Sequence, residues 1–449
     1  MGNLSESQLA TVRSLLTAAP DGAVRDLESA LASGSDRHTT MRVIHGMVAV
    51  EALDRRARNT VFRPLAPLCG SPASRLHSPI FPAAALTGAW RGLKQAGGRN
   101  LERAVAGADP RCLDPPSDEL YDQLCAEAAE GLRGRANPSY AAAAAVLNTA
   151  MDSGAEQFAA YLDLTPVART ALNRMHEWLG RLTDERIAAA RLAFRDAVAI
   201  ADDAGPRLME ILCAHLEEPW AVLRLISAVM QRPTDRFVAS SELAVFGERL
   251  LDDIDAQLKA LSVFNAELGP EAGRAAGAAV RTAAVEIQEF DESIDIAAEG
   301  PWGSRLLRQK KALVLAVEGR LKSVEAEVAA ALPLQTAAFR RQGVRGQPKL
   351  VADPDARRVQ RAIGFLSFLA EVRCAGDRLG FGALWNKTTE QVQARLDTYV
   401  EDLLEKLRAA EGENPERVRA YLDAAAECMG LLSDERAAQI VRRRMAAAA

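Results

Sequence analysis

Aromatic residues make up only 5% of this chain, and it holds five histidines in 449 residues. So few histidines leave little material for metal sites, and so few aromatics little for stacking nucleic-acid bases. The six cysteines, at 69, 112, 125, 213, 374 and 428, form no Cys-x-x-Cys, and their wide spacing argues against a disulfide framework. Free, buried thiols in a reducing compartment are the expectation. No run of eighteen apolar residues occurs, so no membrane-spanning helix is expected. The first residues, MGNLSESQLATV, lack the basic and apolar regions of a signal peptide, and Glu6 stands where a myristoylation signal wants Ser or Thr. A cytoplasmic location is expected.

Strand signals are equally sparse. Few segments alternate apolar and polar residues, and no Asn-Gly or Asp-Gly joins two that do. Phosphate-cradling GxxxxGK[ST], strand-linked GxGxxG, the GxSxG elbow, HExxH and the Glu-x-x-His of di-iron bundles are all missing. No catalytic residue, cofactor or metal is assigned.

Alanine, by contrast, fills about a fifth of the chain, and arginine outnumbers lysine several-fold. Both favour helices, and the bias also suits a GC-rich bacterial genome. Formal net charge is −5, which argues against a general nucleic-acid binder. The charge is uneven: Arg42 to Arg103 holds ten Arg/Lys against three Asp/Glu, leaving the remainder acidic.

Helical periodicity recurs throughout. Short helices are expected over 5–18 and 22–33, and a longer one over 36–59 with Val43, Ile44, Met47, Val50 and Leu53 on its apolar face. Five prolines at 64, 67, 72, 79 and 82 then exclude a continuous helix over 60–82. That segment keeps Val61, Phe62, Leu65, Leu68, Leu76, Ile80 and Phe81, and reads as an ordered, extended strap. Helices follow over 83–96, 118–132, 139–163, 166–180, 184–203, 206–217 and 219–230. The stripe Leu243, Phe246, Leu250, Ile254, Leu258, Leu261, Phe264, Leu268 implies one helix of about 28 residues. Gly269-Pro270 and Gly300-Pro301 divide it from two further long helices. Residues 333–352 read as a basic linker or loop, and 354–375, 387–411, 415–429 and 434–447 as the last helices.

The expected organisation is therefore all-α, a multi-helix array of antiparallel hairpins or bundles. Its parts are an N-terminal module over 1–107, a hairpin module over 118–235, a long-helix bundle over 239–332, the linker, and a C-terminal module over 353–449.

Two distant stretches resemble one another. Residues 169–188 and 419–438 share Arg169/Arg419, Leu172/Leu422, Glu177/Glu427, Gly180/Gly430, Leu182/Leu432 and an Asp-Glu-Arg triplet. With a one-residue shift, 145–157 parallels 394–406. Gly180 and Gly430 suit left-handed helix stops, and Thr183 and Ser433 suit N-caps. Duplication and convergence of two ordinary helix-turn-helix units both account for this.

Among chemistry-bearing residues, His38 with His45, and Cys69 with His77, lack recognised zinc spacing. His176 reads as a helix-boundary residue. Asp202-Asp203 and Asp252-Asp253-x-Asp255 read as solvated helix faces. Gly376 to Gly382 follows a helix and reads as a loop, not a phosphate cradle, and Arg442-Arg443-Arg444 as a helix end. The best candidate is the basic stretch, with Arg55, Arg56, Arg58, Arg63, His77, Arg91 and Lys94 docking an anion or an acidic partner. Internal ion pairing explains the same residues without function.

The leading expectation is a non-catalytic interaction, scaffold or adaptor protein of the bacterial cytoplasm that binds a protein partner or self-associates. The alternative is an enzyme or small anionic-ligand binder with an inter-helix pocket beside the strap. A nucleic-acid-contacting regulator comes third.

Overall fold

A computed structural model of the chain describes residues 5–33, 39–70, 80–134, 138–180, 183–230, 233–335, 346–409 and 414–448. It divides into two compact units, Met1–Gln231 and Arg232–Ala449.

The first unit holds α1 (Glu6–Ala18), α2 (Asp21–Ser33), α3 (Thr39–Val61), α4 (Ala84–Ala96), α5 (Arg99–Gly107) and α6 (Asp118–Arg133). It continues with α7 (Ala141–Ala150), α8 (Gly154–Asp163), α9 (Thr165–Leu179), α10 (Asp184–Val198), α11 (Ala204–Ala214) and α12 (Val222–Val229). The second begins with α13 (Asp235–Ala239), α14 (Ala244–Ser262), α15 (Pro270–Ser293), α16 (Gly303–Ala331) and α17 (Ala356–Glu371). Helices α18 (Gly376–Leu379), α19 (Gly382–Ala409), α20 (Pro415–Leu432) and α21 (Glu435–Ala448) complete it. Among the described residues the only sheet is a two-residue antiparallel pair, Leu334–Gln335 with Gln347–Pro348. The all-α expectation holds, and no helix among these residues is long and apolar enough to cross a membrane.

Several expected elements differ in detail. The long stripe from Leu243 stops as an α-helix at Ser262, and a 3-10 turn over Ala266–Leu268 carries its end. Asn265 caps that turn by accepting from Glu267 N at 3.0 Å, a local side-chain bond that competes with continuing the helix. The expected helix over 139–163 is two, broken where Ser153 takes a left-handed conformation at φ 53°. Helix α5 was not anticipated.

The proline-rich segment is also not simply extended. Arg63–Leu68 forms a 3-10 turn in which Phe62 O accepts from Leu65 N at 3.0 Å and Ala66 N at 3.1 Å. Prolines at 64 and 67 donate nothing and are tolerated in so short a helix. Cys69 then bridges Phe81, and residues 71–79, with His77, lie outside the described residues. His215 at the end of α11 reaches Pro64 O at 3.0 Å, and burial lowers its pKa.

The two resembling stretches do not share helix boundaries. Residues 145–157 span the α7–α8 break, whereas 394–406 run inside α19. Gly180 is extended at φ −84° and not left-handed. Gly430 does not stop its helix at all: it lies within α20, where a Cβ would come within 3.1 Å of Ala438 on α21. Thr183 caps α10, but Ser433 bonds Gln393 and leaves capping to Asp434.

One device recurs in both units and accounts for much of the arginine. A helix leaves its last carbonyls unpaired, at the negative end of its dipole. Here arginines from other helices supply the donors. Arg55 takes Leu16 O and Ala19 O beyond α1, at 2.6 and 2.7 Å. Arg169 takes Thr60 O and Val61 O of α3, and Arg224 takes Leu179 O of α9. In the second unit Arg320 takes Leu261 O of α14, and Arg395 takes Leu332 O just beyond α16.

Tyr140 shows how closely the first unit packs around α4, α6 and α7. Its ring is 2% exposed between Gly92 of α4 and Gly131 of α6, and a Cβ on either glycine would fall within 2.4 Å of it.

Candidate functional site

The basic residues nominated from sequence gather at the C-terminal half of α3 and the outer face of α4, but most are turned inward. Arg55 is 7% exposed and pairs with Asp21 at 2.9 Å and Glu51 at 2.8 Å, besides the carbonyls of Leu16 and Ala19. Arg56 pairs with Glu28 at 2.7 Å. Arg58 pairs with Asp21, donates to Asn59 and reaches Thr87 Oγ1 at 3.2 Å. Together they bind α2 to α3. Burial raises the pKa of Asp21, but hydrogen bonds from Asn59 and Arg58 and the charges of Arg58 and Arg55 outweigh it, so the net shift is downward. Asp21 and Glu28 come from the neighbouring helix α2, outside the basic stretch, and Glu51 from within it, so internal ion pairing accounts for these three arginines.

Two clefts flank this network. The larger, about 830 Å³, lies between α3, α4 and the start of α7, and includes Arg55, Arg58, Arg91 and Lys94. The other, about 730 Å³, runs along α2, α3 and residues 107–115 and includes Arg55, Arg56 and Arg63. Arg63 and Arg91, expected to act together, therefore stand in different clefts, with Arg55 between them.

Within the larger cleft the wall formed by α4 is the most informative. Thr87, Arg91 and Lys94 fall at i, i+4 and i+7, which places them on one helical face. Trp90 is 3% exposed, and its Nε1 donates to Asp54 Oδ2 at 3.1 Å. Lys94 Nζ lies 3.0 Å from Asp54 Oδ1. Asp54 thus orients both the indole and the ammonium group. Arg91 is exposed and has no ion-pair or hydrogen-bond partner among the described residues. Thr87 Oγ1 accepts from Arg58, so its own proton remains available to an acceptor in the cleft. The row offers a guanidinium fork, an ammonium and a hydroxyl, which are the donors a carboxylate or phosphate requires. Exposed Val146 and the alanines of α7 make the opposite wall apolar.

Sequence reasoning missed Asp54, Asp21 and Thr87. The spacing from Thr87 to Lys94 was available on α4, but no local signal connects Asp21 to α3.

The other nominated groups behave as structure. Asp252 and Asp255 both pair with Arg305 at 2.6 Å, while Asp253, expected on a solvated face, is only 9% exposed. Gly376 begins the four-residue α18, and Gly380 is left-handed before α19. Cys125, Cys213 and Cys428 are buried, and burial pushes Cys125 and Cys428 up to about 12. Cys374 is exposed, against the expectation of buried thiols. No group of three or more His, Cys, Asp or Glu among the described residues is arranged to hold a metal ion.

The chain matches no protein-family model, no curated protein and no solved structure.

Proposed function

We propose that the N-terminal unit is a binding module whose α3–α4 cleft takes a small ligand bearing a carboxylate or phosphate. The observation that carries this reading is the donor row on α4, with Arg91 uncommitted to any described partner. Arg91 would supply the bidentate contact, Lys94 a second charge and Thr87 a hydroxyl, while Asp54 keeps Lys94 and Trp90 in place. The inward pairing of Arg55, Arg56 and Arg58 supports a built pocket more than a broad basic surface, and weakens the nucleic-acid reading. An antiparallel helical-hairpin array is the frame this reading assumes.

Titration calorimetry with inorganic phosphate and with citrate tests it. Saturable binding is expected, and Arg91→Ala should weaken it about tenfold or more, as expected for a lost charged hydrogen bond. Trp90 should report the same event by fluorescence. Absence of saturable binding to either anion, or equal affinity in Arg91→Ala, would overturn the assignment.

A second reading, an interaction protein that pairs with another copy of itself, is favoured by α3. Val43 and Val50, seven residues apart on one face, are 43% and 69% exposed. Sedimentation equilibrium should then show a dimer that weakens in Val43→Ser/Val50→Ser. A wild-type chain that stays monomeric up to the highest concentration tested would dispose of it.

A further inference from the structure

In the second unit, α14 and α15 close on two acids. Glu286 is fully buried, and neither carboxylate oxygen has a hydrogen-bond partner among the described residues. Asp253 of α14 is buried too, at 9% exposed, and its negative charge acts on Glu286. Asp253 also accepts from Gln257 Nε2 at 3.0 Å, which fixes its position.

Charged groups on the surrounding elements are committed elsewhere. Glu371 of α17 pairs with Arg281, and Lys310 of α16 lies 3.5 Å from Asp291. Glu267, in the turn before α15, reaches Arg361, and Arg373 stacks on Trp385. Asp377 and Arg378 on α18 make no ion pair with Glu286. One turn along α15, Glu289 accepts from Ser293 at 2.7 Å. No cation among these residues pairs with Glu286. Two carboxylates without a counter-charge cannot both ionise in an apolar seam without a large desolvation and repulsion cost.

We infer that Asp253 and Glu286 share one proton across the α14–α15 seam, and that losing it loosens the Arg232–Ala449 unit at alkaline pH. Burial first, and then the charge of Asp253, push the Glu286 carboxyl up to about 9. The sign follows from linkage. A carboxyl whose folded pKa lies above its unfolded value binds its proton more tightly when folded. Its contribution is fully present below the unfolded pKa and is lost as pH rises through the folded one. Between those limits the unfolding constant should increase about tenfold per pH unit.

The test uses the full chain. Urea unfolding of wild type and Glu286→Gln is compared from pH 5 to pH 9. Infrared spectra of the two at neutral pH are compared for the carbonyl stretch of a protonated buried acid. Wild type is expected to show that band and to lose stability with rising pH. Glu286→Gln, whose amide can donate to Asp253, should lack the band and show the flatter profile. The inference is overturned if wild type has no protonated-acid band, or if the two pH profiles run parallel. It is equally overturned if calcium or magnesium stabilises wild type but not Glu286→Gln at high pH, because a cation would then neutralise the pair. Should Glu286→Gln fail to fold, the wild-type band alone decides.

Discussion

Arg169→Ala is expected to destabilise the N-terminal unit by about 3–5 kcal/mol, the range for removing one partner of a buried ion pair. Arg169 is 4% exposed, pairs with Asp122 at 3.0 Å and stacks over Tyr121 at 5.5 Å. Its guanidinium also donates to Thr60 O at 3.3 Å and Val61 O at 2.8 Å, holding the last carbonyls of α3. Alanine would strand these acceptors together with Asp122, whose pKa burial already raises against the pull of Arg169. Lysine should rescue only part of the loss, because an ammonium cannot span three acceptors as a planar fork does. Arg169→Met/Asp122→Leu should cost less than Arg169→Ala, since it removes the stranded charge as well. Urea unfolding measures the loss, and hydrogen exchange at the end of α3 locates it. A loss under about 1 kcal/mol would contradict the capping role.

Trp302→Ala should cost the second unit a similar amount, about 3–5 kcal/mol, by opening a cavity. Trp302 is 1% exposed, sits edge-on to Phe290 with ring centroids 5.8 Å apart, and donates from Nε1 to Glu248 at 2.5 Å. Gly247 admits the ring: a Cβ there would fall 2.3 Å from it. The neighbours cannot simply close the gap, because Phe290 and Trp302 are held on separate helices or their caps. Phenylalanine should recover most of the packing but not the hydrogen bond. The effect should appear in the urea transition of the second unit, and an unchanged midpoint there would refute it. With two compact units, each transition needs its own probe.

Much of the fold was legible because helix formation is local. Leu306, Leu313, Val317, Leu321, Val324 and Val328 recur at helical steps, and all are buried along α16. Gly269 precedes α15 and Pro270 opens it, as their backbone preferences require. Where periodicity misled, a local bond or backbone conformation won: Asn265 ends the first long stripe, and Ser153 divides α7 from α8. Gly430 fails as a helix stop for the opposite reason. Packing against α21 uses its missing side chain, and no turn is needed there.

The candidate site was legible in part. Arg91 and Lys94 were marked by charge alone, and the cleft gives them a common face with Thr87. Arg55, Arg56 and Arg58 carried the same signal but proved to be internal ties, since their partners Asp21 and Glu28 lie about thirty residues away. Asp253 looked like its neighbours Asp252 and Asp255, yet a turn of roughly 100° per residue points it inward and them outward.

What the sequence determined by itself is the helical class and most helix positions, because propensity, periodicity and capping act within a few residues. Only the tertiary structure decided which arginines are buried, which carboxylates meet, and which cation is left facing a cleft. Those outcomes depend on groups brought together from distant parts of the chain. In such places burial and pairing, not residue type, set whether a charge holds the fold or remains free to bind.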